Sequence, residues 1–187
     1  MNEVLRAIAE RSSIRAYTDE KLTEAEITSL VTAGLQAPTA RNLQEVHISV
    51  VNGNHPVLAE IEAEKRRKIL GSDADESVKE AIRNNPNNFY YNAPTVFVLS
   101  VDKSFHWGML DAGIAAENIS LAAQSLGLGS LIIGIIDSAM SGEKKEHFAD
   151  VLRFPEGYEF AICVAVGHRN TEKEPHEYHF DKSVSFI

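Results

Sequence analysis

Cysteine is almost absent from this 187-residue sequence: the single Cys163 lies in the apolar run 160–166. Intrachain disulfides, CxxC redox pairs and thiolate metal clusters are thereby excluded, and any redox chemistry needs a borrowed cofactor. Long apolar runs are absent as well, for nowhere do roughly 18 uninterrupted apolar residues occur, and the first residues, Met1-Asn2-Glu3-Val4-Leu5-Arg6, carry no basic stretch before an apolar one. A cytoplasmic protein is the expectation. Positive charge is scarce: 18 Lys and Arg face 27 Asp and Glu, a net charge of −9. Such a chain repels nucleic acid and anionic membrane, so a phosphate site would have to be a local concentration of Arg, Lys and backbone N–H groups. Also missing are a GxGxxG order, a Walker loop, a GxSxG elbow and an HExxH pattern. Gly127-Leu128-Gly129 follows a helix instead of linking a strand to one.

What is present is an ordinary globular composition, 44% apolar and 24% charged, and a length that fits one domain over 1–187. Val4, Leu5 and Ile8 form a short helical stripe. Thr23-Glu24-Ala25-Glu26 is a capping box that opens a helix with Ile27, Leu30, Val31, Gly34 and Leu35 on one face, and Pro38 ends it. A strand is expected over 46–51, with Val46, Ile48 and Val50 on one side. Pro56 then opens a charged helix through Lys68, followed by a short helix over 76–83, a polar loop over 84–88 and a strand over 95–101. The longest helix, 108–126, is rich in small residues (Ala112, Gly113, Ala115, Ala116, Ala122, Ala123), which suits a central or interface position. Glycine ends it, and the apolar run 131–136, an amphipathic helix near 141–152 and a strand over 160–166 follow. Periodicity alone gives an α/β chain of open topology.

The stretch 168–187 is too long and polar for core, yet it closes on the alternating Val184-Ser185-Phe186-Ile187. It reads as a tail that docks, either on its own domain or on a sheet edge of a partner.

Three segments could carry chemistry. Arg11-Ser12-Ser13-Ile14-Arg15 sets two guanidinium groups and two hydroxyls within five residues, the donor set a phosphate monoester requires; taken alone, a helix end with a capping serine explains it better. Pro38, Thr39, Asn42 and Gln44 give a rigid turn whose amides and hydroxyl match a flavin or nucleobase edge, although a polar turn is the plainer reading. His176 and His179, with Glu174 and Asp181 nearby, could be drawn as a metal site, but solvated histidines in a polar tail are favoured. Cys163 reads as inert packing. Asp111 and Glu117, six apart, share a helical face poorly; a helix-dipole role suits Asp111 and an exposed or interface ion pair suits Glu117.

In order and spacing these segments resemble the nitroreductase family of FMN enzymes over most of the chain. Residues 11–17 look like its Arg-x-Ser-x-Arg phosphate segment, and Ala37-Pro38-Thr39-Ala40-Arg41-Asn42-Leu43-Gln44 looks like its Ala-Pro-Ser-x-x-Asn-x-Gln loop. Ala93-Pro94, Asp111, Gly127-Leu128-Gly129, Gly134 and Gly167 fall in the same order. The resemblance implies an α+β fold, a mixed central sheet packed between helices, in an intertwined homodimer with the tail 168–187 crossing to the partner. It further implies FMN held by Arg11, Ser12, Ser13 and Arg15 of one subunit, and by Pro38, Thr39, Ala40, Asn42 and Gln44 of the other. Ile132, Ile133 and Gly134 would approach the ring, the glycine permitting close backbone approach. Arg169, His179 and Lys182 are the candidates for a C-terminal basic phosphate ligand.

The sequence departs from the family pattern after the loop, where Glu45-Val46 replaces the usual Pro-Trp, and before Ala93-Pro94, where Asn87 or Asn88 stands for the expected Asn and Phe89 falls near the expected Lys. By resemblance the chain is an FMN-dependent oxidoreductase in which NADH or NADPH and then a nitroaromatic or quinone-like acceptor use the same flavin face. No catalytic acid or base and no metal is assigned. Phe89, Tyr90, Tyr91, Phe105 and Trp107 could line an acceptor pocket, though aromatics beside a strand more often belong to the core. The alternatives are a flavin-binding or storage dimer without catalysis, and a specialised relative acting in dehalogenation or flavin breakdown.

Overall fold

A computed structural model describes residues 2–175 and 177–187. Its elements are α1 (Glu3–Glu10), α2 (Glu24–Leu35), β1 (His47–Asn52), α3 (Pro56–Leu70), α4 (Glu76–Asn84), β2 (Thr95–Asp102), α5 (Gly108–Ser125), β3 (Leu128–Ile133), α6 (Asp137–Met140), α7 (Lys145–Val151), β4 (Tyr158–His168) and α8 (Phe180–Ser183). No helix among the described residues is long and apolar enough to cross a membrane.

The strands form one sheet in the order β1-β2-β4-β3, and every neighbouring pair is antiparallel. The expected mixed sheet is corrected accordingly: among the described residues a parallel pairing occurs only as the isolated bridge Ser13 to Ser130. Alternation along a strand fixes which faces are apolar and leaves the direction of pairing open. The two middle strands are buried on both faces. Val96 and Val98 of β2 and Cys163 and Ala165 of β4 point into one core with Val57, Leu58 and Ile61 of α3, Met140 of α6 and Phe148 of α7. Phe97 and Leu99 of β2 and Val164 and Val166 of β4 face the opposite way, toward Leu30 of α2 and Ala112, Ala115, Ala116 and Ile119 of α5. The molecule is thus three layers, helix, sheet and helix, with each buried aliphatic or Phe side chain contributing about 1.5–3 kcal/mol.

Local chemistry explains most element ends. In the capping box at α2, Thr23 Oγ1 accepts the Glu26 N–H at 3.2 Å, and Glu26 Oε2 accepts the Thr23 N–H at 2.7 Å. The alanines of α5 let it lie close against the sheet, and Gly127 leaves the helix with φ 75°, a left-handed conformation that glycine adopts freely. The run 131–136 turns out to be the second half of β3 and the turn after it. The helix expected near 141–152 is shorter, and the four-residue α6 precedes it. Phe89 and Tyr90 are core residues, 6% and 3% exposed, not pocket aromatics; Trp107 stands half-exposed before α5.

Candidate functional site

Helix α1 ends at Arg11, whose N–H donates to Ala7 O, and the chain then runs extended along β3. Ser13 bridges to Ser130, and the Ile14 N–H donates to Ser130 O at 2.9 Å. Ile14 is buried over Gly129, where any Cβ would lie 2.8 Å from Ile14 Cγ2 and 3.0 Å from its Cβ. Only glycine permits that approach. Farther on, Tyr17 bridges to Arg169 and the Thr18 N–H donates to His168 O. The Tyr17 hydroxyl donates to Ile14 O at 2.8 Å, and burial raises its pKa. A segment pinned in this way presents Arg11, Ser12, Ser13 and Arg15 from a fixed backbone. Arg11 Nε sits 3.2 Å from Glu117 Oε1, the ion pair expected of that glutamate. The Arg15 guanidinium lies 5.9 Å from the Tyr91 ring centre.

The loop 38–44 is held as tightly by different means. It contains a 3₁₀ turn, Ala40–Asn42, and three residues other than glycine with left-handed backbones: Arg41 (φ 57°), Asn42 (φ 55°) and Gln44 (φ 54°). Such conformations cost of order 1 kcal/mol each and persist only when the surroundings over-determine them. Here the Gln44 N–H donates to Thr39 Oγ1 at 2.9 Å, and the Ala40 N–H donates to Asp111 Oδ2 at 2.9 Å. Asp111 is 3% exposed and sits in the first turn of α5, where the helix dipole favours its charge. Arg41, Asn42, Leu43 and Gln44 remain exposed.

At the far end of β3, Ile132 is 38% exposed, Ile133 is buried, and Gly134 is exposed. A Cβ on Gly134 would meet only Ile162 Cδ1, at an ordinary 3.4 Å. Among the described residues nothing in the packing requires glycine there. The turn after it is anchored by the Asp137 N–H donating to Gly134 O and by α3: Lys65 Nζ donates to Ser138 Oγ at 2.8 Å and pairs with Asp137 at 3.3 Å, while Lys68 Nζ donates to Ser138 O.

The three C-terminal basic candidates part company. Arg169 Nη2 donates to Gln124 Oε1 at 2.9 Å and Leu128 O at 2.7 Å, and its buried Nε has no hydrogen-bond partner among the described residues. His179 and Lys182 lie on the exposed tail around α8. His176 falls outside the described residues, and among those described no group of three or more His, Cys, Asp or Glu could hold a metal ion.

Helix α5 is the ruler on which these pieces are set out. The loop 38–44 rests on Asp111 near its start, Arg11 on Glu117 midway, and Arg169 on Gln124 near its end. At 1.5 Å per residue, Asp111 and Gln124 are about 20 Å apart. Within one chain, therefore, the loop and Arg169 lie at opposite ends of a helix.

The sequence profile described as Nitroreductase family matches residues 8–168. The chain belongs to the nitroreductase family. A nitroreductase with bound FMN from Desulfitobacterium hafniense superposes with a TM-score of 0.90 at 34% identity, covering 100% of this chain and 99% of that one. A nitroreductase with bound FMN from Bacteroides fragilis gives 0.87 at 26% identity, with 100% of both chains covered. An FMN reductase (NADPH) from Bacillus subtilis is 28% identical over 192 residues, which span 90% of this chain and 66% of that enzyme. For a nitroreductase-family chain the sequence reading missed three features: the inward-turned Glu45, the lysines of α3 behind the Gly134 turn, and Tyr91 beneath Arg15. Each depends on a contact between distant segments, which spacing along the chain does not encode.

Proposed function

We propose that this chain is an FMN-dependent NAD(P)H oxidoreductase, working as a homodimer whose two sites each draw on both subunits. The observation that carries this reading is the pairing of the segment 11–15 with β3. That strand has guanidinium and hydroxyl donors beside Ser130 and an uncrowded, exposed glycine four residues on, about 13 Å away. A phosphate joined by a short chain to a flat ring fits along such a strand. Arg11 and Arg15, with Ser12 and Ser13, would bind the phosphate, the free Nε of Arg169 could add to them, and Ile132, Ile133 and Gly134 would face the ring.

The loop residues Pro38, Thr39, Ala40, Asn42 and Gln44 would reach the ring and ribityl chain from the other subunit. Support comes from α5, whose less buried positions Leu110, Gly113, Glu117 and Gln124 recur at helical spacing and leave a Cβ on Gly113 meeting nothing. Two such helices packed antiparallel about a twofold axis bring the loop end of one beside the arginine end of the other. β1 is a sheet edge, and the alternating tail that ends in exposed Phe186 and Ile187 suits addition to such an edge on the partner. On this reading residues 1–187 form one domain and 168–187 its docking tail, with His179 and Lys182 placed by the partner's surface.

Bound FMN supplies the electron transfer, from NADH or NADPH to a nitroaromatic or quinone-like acceptor. The protein's own residues bind the phosphate, fix the ring and keep its open face accessible. A purified yellow protein that bleaches anaerobically with NADH or NADPH and recolours with a nitroaromatic is the expected result. Flavin that stays bound and never bleaches would favour storage over catalysis; a colourless protein that takes up no added FMN would overturn the assignment.

A further inference from the structure

We propose that Glu45 is a positioning residue that works as a neutral carboxylic acid, donating its proton to Asp111 and so locking the loop 38–44 in its left-handed shape. The inference rests on the reading of that loop as part of the flavin site.

Glu45 follows Gln44, the last left-handed residue of the loop, and the turn throws its side chain inward. The residue is 9% exposed, and neither carboxyl oxygen has a hydrogen-bond donor among the described residues. Within hydrogen-bond reach is the Asp111 carboxyl, itself buried and already accepting the Ala40 N–H. Two adjoining carboxyl groups away from water cannot both be ionised. Asp111 has a backbone donor and the positive end of α5 to hold its charge. Glu45 lies at no helix end and has only its own backbone N–H nearby, outside hydrogen-bond geometry, so the proton resides there. Other titratable groups lie on the elements around Glu45. Burial is the largest cause raising its pKa; its own backbone N–H works the other way, and Asp111 from α5 and Asp102 from the end of β2 push it up. Tyr158, at the start of β4, is raised by burial, by Asp102 and, once Glu45 is ionised, by Glu45. His47, two residues on at the start of β1, is held toward its neutral form by burial.

One carboxylate then holds both ends of the loop, accepting the Ala40 N–H at one end and the Glu45 O–H at the other. Loss of the Glu45 proton turns that second hydrogen bond into a repulsion between like charges.

The test is FMN affinity, by flavin titration of the whole protein between about pH 5 and pH 8.5, for wild type, Glu45→Gln and Glu45→Ala. Wild type should lose affinity by about tenfold or more as pH rises, the loss expected when a hydrogen bond to a charged group is broken. Glu45→Gln, whose amide N–H donates at every pH, should keep the low-pH affinity and lose the dependence. Glu45→Ala should bind weakly throughout. A Glu45→Gln protein that binds as weakly as Glu45→Ala, or that follows the wild-type pH curve, overturns the proposal.

Thermal melts of the flavin-free protein separate this from the flavin assignment. A group whose pKa is raised by folding stabilises fully below the ordinary glutamate range, and that stability is lost as pH climbs toward the folded value. The wild-type melting temperature should therefore fall over the same range while that of Glu45→Gln does not. Parallel curves overturn the proton-sharing pair. A wild type that binds no FMN at any pH overturns the flavin function, and the melts still judge the pair.

Discussion

Substituting Gly129 by Ala tests the close approach on which the proposed phosphate segment 11–15 depends. The added Cβ would sit 2.8 Å from Ile14 Cγ2, 3.0 Å from its Cβ and 3.2 Å from its Cγ1, all inside normal carbon contact. Because Ile14 is 2% exposed and hydrogen-bonded to Ser130 through its N–H, it cannot swing aside. Overpacking of this kind costs about 1–3 kcal/mol, and at this chain length each kcal/mol lowers the melting temperature by about 2–4 °C. Ile14→Ala alone leaves a cavity and costs about 2–5 kcal/mol. In the double variant two of the three close contacts are gone, so the combined loss should fall short of the sum by at least about 1 kcal/mol. Urea denaturation of the four proteins measures that coupling, and flavin retention in the same samples should follow the order of segment displacement. Additivity within about 0.5 kcal/mol would show that Gly129 and Ile14 do not compete for space and would refute the reasoning.

Replacing Arg11 and Arg15 by Ala should abolish FMN retention and leave riboflavin affinity and helical circular dichroism nearly unchanged; equal weakening of both flavins would remove the phosphate role. Deletion of the residues after Pro175 should weaken dimerisation in light scattering, and an unaltered dimer would refute the crossing tail. Thr23→Ala removes the hydroxyl that caps α2 and should cost about 1 kcal/mol in denaturant unfolding, with no change in flavin binding.

The features legible in the sequence are those whose causes are local. Thr23 and Glu26 lie three apart, so their reciprocal bonds could be read directly, and so could the glycine exit from α5. The antiparallel sheet was out of reach because Val96 and Val98 show only that they share a face, and not which neighbour runs which way. The loop 38–44 was recognised by its residue types, yet nothing in Arg41 or Gln44 announces a positive φ, since one of the two bonds that hold the loop runs to Asp111, some seventy positions away. Glu45 was equally opaque. A charged residue beside a polar loop is ordinarily solvated, and its inward turn follows from the loop geometry. Arg11 and Arg15 were legible as a motif, whereas the contact that gives Arg11 its place, with Glu117, joins two separate helices.

The spread of loop and arginines along α5 also bears on how defects in this protein would be inherited. On the proposed site, a chain damaged at its loop and a chain damaged in the segment 11–15 would each fail alone. In the proposed homodimer, mixing them in equal amounts would give half of the dimers one of each, and in those the twofold axis would gather both injuries into one site and leave the other whole. About a quarter of all sites would thus be restored from two inactive parents. Such alleles would complement each other, whereas two alleles damaged in the same half would not.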